Sequence, residues 1–279
     1  MFERIVVATD FSPGSETLTT CLGKMKNIGT KEIILVWVDD VRNKSKSAQM
    51  QELNQTNLNI KKEKIEKMGF EVNIETPRGI PAAEINQIAK AKYAELIVIA
   101  SRGKNLIRDF FIGSTTAALI RSSNTPVLVE RVKVLSQGEQ LICDVEDQIF
   151  SRIMLATDFS PRAKGAENIA KELSTLAETI GLVSIIDEGS TPEELQQKRE
   201  AAFAYLENIR TTCQDKCPNI DVFLEEGVAS KQILSLAQSF GASLIVMGTR
   251  GKGQQGKILL GSTAETVARR ASCAVLLVP

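Results

Sequence analysis

Glycines and hydroxyls, with a single carboxylate beside them, are the residues whose spacing suggests chemistry in this chain. Gly248 and Gly251 are separated by two residues, nine more lead to Gly261, and Ser262 and Thr263 follow at once. Glycines let the backbone approach an anion, and a helix opening at Ser262 would add unpaired amides and hydroxyls beside it, which together would cradle a phosphate. Asp158 stands directly after an apolar run, Ile153 to Ala156 with Thr157, where it would face the same place. The same glycines would equally serve turns and helix packing. The Lys-Ser/Thr ending of a P-loop is missing and no clustered G-x-G-x-x-G fingerprint is expected, so neither a P-loop NTPase nor a nicotinamide dehydrogenase is expected.

The chain has 279 residues and no histidine, with 34 Lys+Arg against 34 Asp+Glu and 43% hydrophobic residues. Absence of histidine removes a Ser-His-Asp triad, a Cys-His pair, a His-ligated metal and an imidazole base. Asp10 and Asp158 offer one carboxylate per site, a thin basis for hydrolysis. No run is long and apolar enough for a leader or a membrane span, so a cytoplasmic protein without a membrane partner is expected. The five cysteines, Cys21, Cys143, Cys213, Cys217 and Cys273, are irregularly spaced, which points to reduced thiols rather than a disulfide framework.

The elements that must position these residues come from an internal repeat. Residues 4–13 read RIVVATDFSP and residues 152–161 read RIMLATDFSP, an offset of 148. At that offset Ala94 to Glu130 lies over Ala242 to Val278, with 13 of 37 positions identical. Two copies of one module are implied, at 1–133 and 149–279, joined by a linker at 134–148 with four acidic residues and no basic one. The first module holds 20 basic and 15 acidic residues, scattered except for Lys61, Lys62, Lys64 and Lys67, so no nucleic-acid surface is expected. That lysine set, interleaved with Glu63 and Glu66, reads as the solvated face of a helix.

Within each module, short apolar runs alternate with helical stretches. Strands are expected at Ile5 to Ala8, Ile33 to Val38, Val72 to Ile74, Leu96 to Ala100 and Val127 to Val129. Their counterparts are Ile153 to Ala156, Leu182 to Ile186, Val222 to Leu224, Leu244 to Met247 and Val275 to Val278. Helices are expected at 44–68 and 192–211, Ala163 to Ala177, Pro81 to Lys92 and Ser230 to Phe240, with last helices from Ser114 and Ser262. Strands apolar on both faces and alternating with helices predict an α/β fold: two tandem doubly wound parallel sheets, with a site at the carboxyl ends of the strands. The last strand of each copy is the expected sheet edge and the first candidate for pairing of the modules.

These residues resemble the universal stress protein family, over nearly the whole chain, as a tandem two-domain member of its nucleotide-binding subclass. Gly248, Gly251, Gly261 and Ser262 match that subclass's glycine signature, and Ala156 to Pro161 matches its opening. The resemblance implies a Rossmann-like, five-stranded parallel sheet of the adenine nucleotide alpha hydrolase type. It implies ATP or AMP as ligand, Mg2+ accompanying ATP, and a dimer within or between chains. It places Asp158 near ribose and adenine, Ala156 and Thr157 at the base, and the Ile186 backbone against adenine. Gly248, Gly251, Gly261, Ser262 and Thr263 would hold ribose and phosphates. In the first copy the corresponding residues are Ala8, Thr9, Asp10, Val38, Ala100, Gly103, Gly113, Ser114 and Thr115. Ala100 departs from the signature, so the second site is the better match. Arg102 and Arg250 are either phosphate neighbours or solvated surface residues. An adenine-nucleotide-binding stress or regulatory protein is the leading expectation, ahead of a slow ATP-hydrolysing enzyme on the same fold or a nucleotide-free scaffold.

Overall fold

In the computed structural model, residues 1–42, 48–101, 112–131, 133–134, 141–142, 149–186, 191–252 and 260–279 are described. The chain divides into two units, Met1–Val145 and Glu146–Pro279. In the first unit the elements run β1 (Arg4–Ala8), α1 (Pro13–Thr20), β2 (Glu32–Val36), β3 (Asp39–Asp40), α2 (Ala48–Lys67), β4 (Glu71–Glu75) and β5 (Arg78–Gly79). They continue with α3 (Pro81–Ala91), β6 (Leu96–Ala100), α4 (Ser114–Ser122), β7 (Val127–Glu130), β8 (Lys133–Val134) and β9 (Leu141–Ile142). The second unit has β10 (Arg152–Ala156), α5 (Lys164–Leu173), β11 (Thr179–Ile186), α6 (Pro192–Cys213), β12 (Asn219–Glu226), α7 (Ala229–Phe240), β13 (Leu244–Gly248), α8 (Ser262–Arg270) and β14 (Ala274–Val278).

The main-sheet strands of the first unit lie in the order β7-β6-β1-β2-β4 and those of the second in the order β12-β11-β10-β13-β14, all parallel, while β3 pairs with β5 in parallel and β8 with β9 antiparallel as separate ladders. The middle strands are buried on both faces. Ile5, Val6, Ile97 and Val98 in one unit, and Ile153, Met154, Leu155 and Ile245 in the other, are fully covered, as a sheet sandwiched by helices requires. In each unit the chain leaves the first strand toward one neighbour and later returns on its other side. The strand order therefore reverses beside β1 and β10, and a crevice opens there at the carboxyl ends. Among the described residues no helix is long and apolar enough to cross a membrane.

Local chemistry sets the helix ends. Ser12 caps α1 by accepting the Ser15 N–H, with Pro13 preset for the first turn. Thr191 does the same for α6 with Pro192 behind it, and Gly241 ends α7 in the left-handed region. The helix expected at Ala163 to Ala177 is α5 followed by a tight turn at Ser174–Leu176. β11 begins at Thr179, three residues before the expected Leu182, and β12 spans Asn219–Glu226.

The constant 148-residue offset fails at one place. Ala8 pairs with Val36 while Ala156 pairs with Val183, and the Thr9 and Thr157 amides donate to those same two carbonyls. The second strands are therefore related by 147, and the counterpart of Ile186 is Asp39 rather than Val38. The pairing of Asp39 with Arg78, against Ile186 with Glu226, agrees. A slip of one residue turns a strand's side chains to the opposite face. Moreover β2 stops at Val36, short of the expected Val38, because Pro77 on the neighbouring segment interrupts the ladder, which resumes as β3 and β5.

Two further expectations are corrected. Lys61 does not belong to a solvated face: it is 2% exposed, on the side of α2 that carries the buried Leu58 and Ile65. Its ammonium pairs with Glu16 at 2.7 Å and donates to Thr19 Oγ1 at 3.0 Å. Burial pulls the Lys61 pKa below the ordinary lysine value, and Glu16 works against that shift. Cys21 is disulfide-bonded, so the expectation of reduced thiols fails for it. Cys143 lies outside the described residues. Cys213 and Cys217 carry buried thiols whose pKa burial pushes up.

Candidate functional site

In the second unit, β10 delivers Ala156, Thr157 and Asp158 to the crevice, β11 delivers Ile186, and β13 ends at Gly248. The start of α8 supplies Ser262 and Thr263. These six, with Gly248, Gly251 and Gly261, all line one cavity of about 860 Å³. A volume of that order is typical of a small-molecule site.

Asp158 is held by the backbone on both sides. The Ser160 N–H donates to its Oδ1 at 3.0 Å and the Lys252 N–H to its Oδ2 at 2.6 Å. The carboxylate thus ties the turn after β10 to the loop after β13. A Cβ placed on Gly251 would overlap Asp158 Oδ2 and stand 3.3 Å from Cγ, so glycine is required there by close approach. Gly248 is less strict: a Cβ there would lie 3.2 Å from the Arg250 carbonyl oxygen and 3.5 Å from that of Arg162. Ala100 stands at this position in the first unit, buried, with its carbonyl accepting the Thr116 hydroxyl at 3.1 Å.

Gly261 caps α8 without a side-chain bond, and the first intrahelical bond runs from Glu265 to Gly261. The amides of Ser262 and Thr263 therefore start the helix without a helical partner, beside the cavity, where an anion would complete them. Among the described residues the buried Arg250 Nε has no hydrogen-bond partner, and Arg250 lines the same cavity. The backbone of Ile186 is the part expected against a base; its carbonyl accepts the Gly227 N–H at 3.1 Å, while its buried side chain forms part of the wall.

Sequence reasoning missed several lining residues. Phe159 packs against Tyr205 with ring centroids 4.5 Å apart and the planes tilted by 41°, and Lys252 Nζ lies 5.4 Å from the Phe159 ring centre. Lys198 and Tyr205 reach the cavity from α6. The repeated Asp-Phe-Ser-Pro was the available signal for Phe159. Phe11 and Phe159 both adopt positive φ, 57° and 62°, at equivalent places. A bulky residue held in the left-handed region twice marks a turn that its surroundings enforce. Gly251, Gly253 and Gly256 do have the G-x-G-x-x-G spacing, contrary to expectation. The helix begins only at Ser262, however, so this is not the strand-to-helix turn that a dinucleotide fingerprint needs.

In the first unit, Ala8 ends β1 with Thr9 and Asp10 directly after it, Ala100 ends the adjacent β6, and Gly113 caps α4, which Ser114 and Thr115 open. The Gly113 N–H donates to the Ser101 carbonyl at 2.9 Å, as Gly261 does to Thr249 at 2.7 Å. Val38 lies past the end of β2, where its neighbour Trp37 meets Phe11 with centroids 6.0 Å apart. Gly103 and Arg102 lie outside the described residues. Among the described residues no group of three or more His, Cys, Asp or Glu is placed to hold a metal.

Two doubly wound α/β units, the second with a glycine-lined crevice at its reversal of strand order, define a tandem protein of Rossmann type. The chain belongs to the universal stress protein family: the sequence profile described as Universal stress protein family matches residues 1–131 and 150–279. A universal stress protein of Methanocaldococcus jannaschii is 30% identical over 158 residues, covering 48% of this chain and 97% of that protein. One from Thermus aquaticus is 34% identical over 140 residues, covering 47% and 99%. The crystal structure of a universal stress protein from Archaeoglobus fulgidus superposes with a TM-score of 0.72 at 26% identity, over 99% of this chain and 95% of that one.

Proposed function

We propose that the second unit binds an adenine nucleotide, ATP or AMP, and that the protein acts in a regulatory or stress-response role rather than as an efficient enzyme. The observation that carries this reading is the junction of Asp158 with Gly251. A glycine loop is drawn against a carboxylate at the strand ends, next to free helix amides and an unpartnered buried Arg250 Nε. Donors of this kind suit phosphate oxygens, and the apolar wall of Ala156, Val183, Ile186 and Met247 suits a flat base. The residues fit a nucleotide better than a resident metal, since Asp158 is the one carboxylate among the described residues that line the cavity and no group of three or more His, Cys, Asp or Glu is gathered there. Any Mg2+ would therefore arrive on the phosphates of ATP. No general base touches the crevice from a histidine, and Asp158 is committed to the backbone, which favours holding a nucleotide over turning it over.

The modules at 1–133 and 149–279, with 134–148 as linker, remain the proposed domain bounds, and a homodimer the proposed assembly. Isothermal titration with ATP, AMP and GTP tests the reading. Micromolar to millimolar binding of the adenine nucleotides, lost in Gly261→Trp, is expected. Absence of heat at millimolar ATP and AMP, together with no nucleotide released on denaturing freshly purified protein, overturns it.

A further inference from the structure

Glu167 sits one turn into α5, outside the crevice, and is completely buried. A buried carboxylate needs partners, and it has three. The Thr157 hydroxyl donates to Oε1 at 2.8 Å, while the Lys164 ammonium at 3.0 Å and the Tyr205 hydroxyl at 3.2 Å donate to Oε2. Because the Thr157 hydroxyl spends its proton on Glu167, its lone pairs point elsewhere, and one accepts the Phe159 N–H at 3.1 Å. That bond closes the turn in which Phe159 takes its left-handed conformation and in which Asp158 reaches Lys252. Tyr205, held by Glu167 through its hydroxyl, supplies the tilted ring against which Phe159 packs.

We propose that Glu167 is a positioning residue: through Thr157 and Tyr205 it fixes the Phe159 turn, and through that turn it sets Asp158 against the Gly251–Lys252 loop. The proposal deepens the nucleotide reading of the second unit and rests on it for its effect on affinity. Its effect on the loop does not depend on any ligand. The first unit carries a different arrangement. Thr19 stands at the position of Glu167, the Thr9 hydroxyl donates to Ser15 Oγ at 3.2 Å, and the Phe11 N–H to Thr9 Oγ1 distance lengthens to 3.4 Å. The charge that meets this position there is Lys61, at 3.0 Å from Thr19 Oγ1. The carboxylate lock therefore belongs to the second unit.

The test is a double-mutant cycle in the full chain with Thr157→Val and Glu167→Gln, and with Thr157→Ser as the conservative variant. Two quantities are read: amide hydrogen exchange at Phe159 and Lys252 in ligand-free protein, and ATP affinity. Thr157→Val is expected to speed exchange at both amides and to weaken ATP binding at least tenfold, with Thr157→Ser restoring both to within threefold. The double variant should be no worse than the poorer single one, because both residues act along one chain of bonds. Wild-type exchange at Lys252 in Thr157→Val, or strictly additive losses in the double variant, overturns the proposal. If the wild type binds no ATP, the nucleotide reading fails while the exchange data still decide the lock.

Discussion

Gly251→Ala isolates the contact on which the site depends. Gly251 is not among the residues with positive φ, so alanine meets no backbone penalty there and only the new methyl matters. That methyl would overlap Asp158 Oδ2, and relief to ordinary contact requires the carboxylate and loop to part by about 1 Å. Asp158 is short and anchored at Oδ1 by Ser160, so the bond to the Lys252 N–H gives way. A hydrogen bond to a charged group contributes about 1.5–3 kcal/mol, which corresponds to roughly a 10- to 100-fold loss in affinity for a ligand that needs the loop in place. Gly248→Ala, by contrast, meets a backbone oxygen at 3.2 Å and needs a shift of only tenths of an ångström. Less than about a fivefold loss is expected there, by the same conversion of under about 1 kcal/mol. Titration calorimetry with ATP on wild type and both alanine variants, with urea unfolding as a control for folding, measures the contrast. Gly251→Ala binding within threefold of wild type, or Gly248→Ala losing as much as Gly251→Ala, refutes the steric argument.

Other consequences can be measured directly. Lys61→Ile places in α2 the residue that stands at the matching position of α6, Ile209. It removes a desolvated ammonium and leaves Glu16, nearly half exposed, in water. A gain of about 1–3 kcal/mol in the stability of the first unit is expected by chemical denaturation. Because the folded-state pKa of Lys61 is lowered, the unfolded chain binds more protons between that value and the ordinary lysine value near about 10.4. Wild-type stability should therefore rise with pH across that alkaline window relative to Lys61→Ile, and a flat difference between the two counts against the assignment. Cys213 and Cys217, buried and with raised pKa, should resist Ellman's reagent in the native protein and react on unfolding, read as the release of the coloured thiolate. Asp158→Asn keeps an acceptor for Ser160 but can lose the one for Lys252, and should weaken ATP binding about tenfold by the same hydrogen-bond magnitude.

The repeat made the architecture legible, because two copies of one apolar pattern with short polar punctuation leave few ways to build a buried parallel sheet. The residues expected at the second crevice were legible for a related reason: all but Gly251, which lies in the loop after β13, stand at or just past a strand end or at a helix start, where the fold must bring them together. Less visible were contacts between elements. Lys61 has polar neighbours in the sequence, and only the packing of α2 over α1 turns it inward. Glu167 lies in a helix rich in charge, and nothing local says that Thr157 and Tyr205 will close over it. The one-residue slip at β2 and β11 was hidden because both copies return to the common register by their third strands, so matching motifs on either side conceal it.

Lys61 and Ile209 occupy matching places in α2 and α6, as Thr19 and Glu167 do in α1 and α5, so the chain contains its own reference molecule. A residue exchanged from one unit into the other is tested in the same polypeptide, buffer and temperature as the copy that kept it, and differences in expression or concentration cancel. Transplanting Glu167 and Tyr205 together into positions 19 and 57 would show whether the two crevices diverged by a few buried side chains or by the longer ladder of β11 and β12.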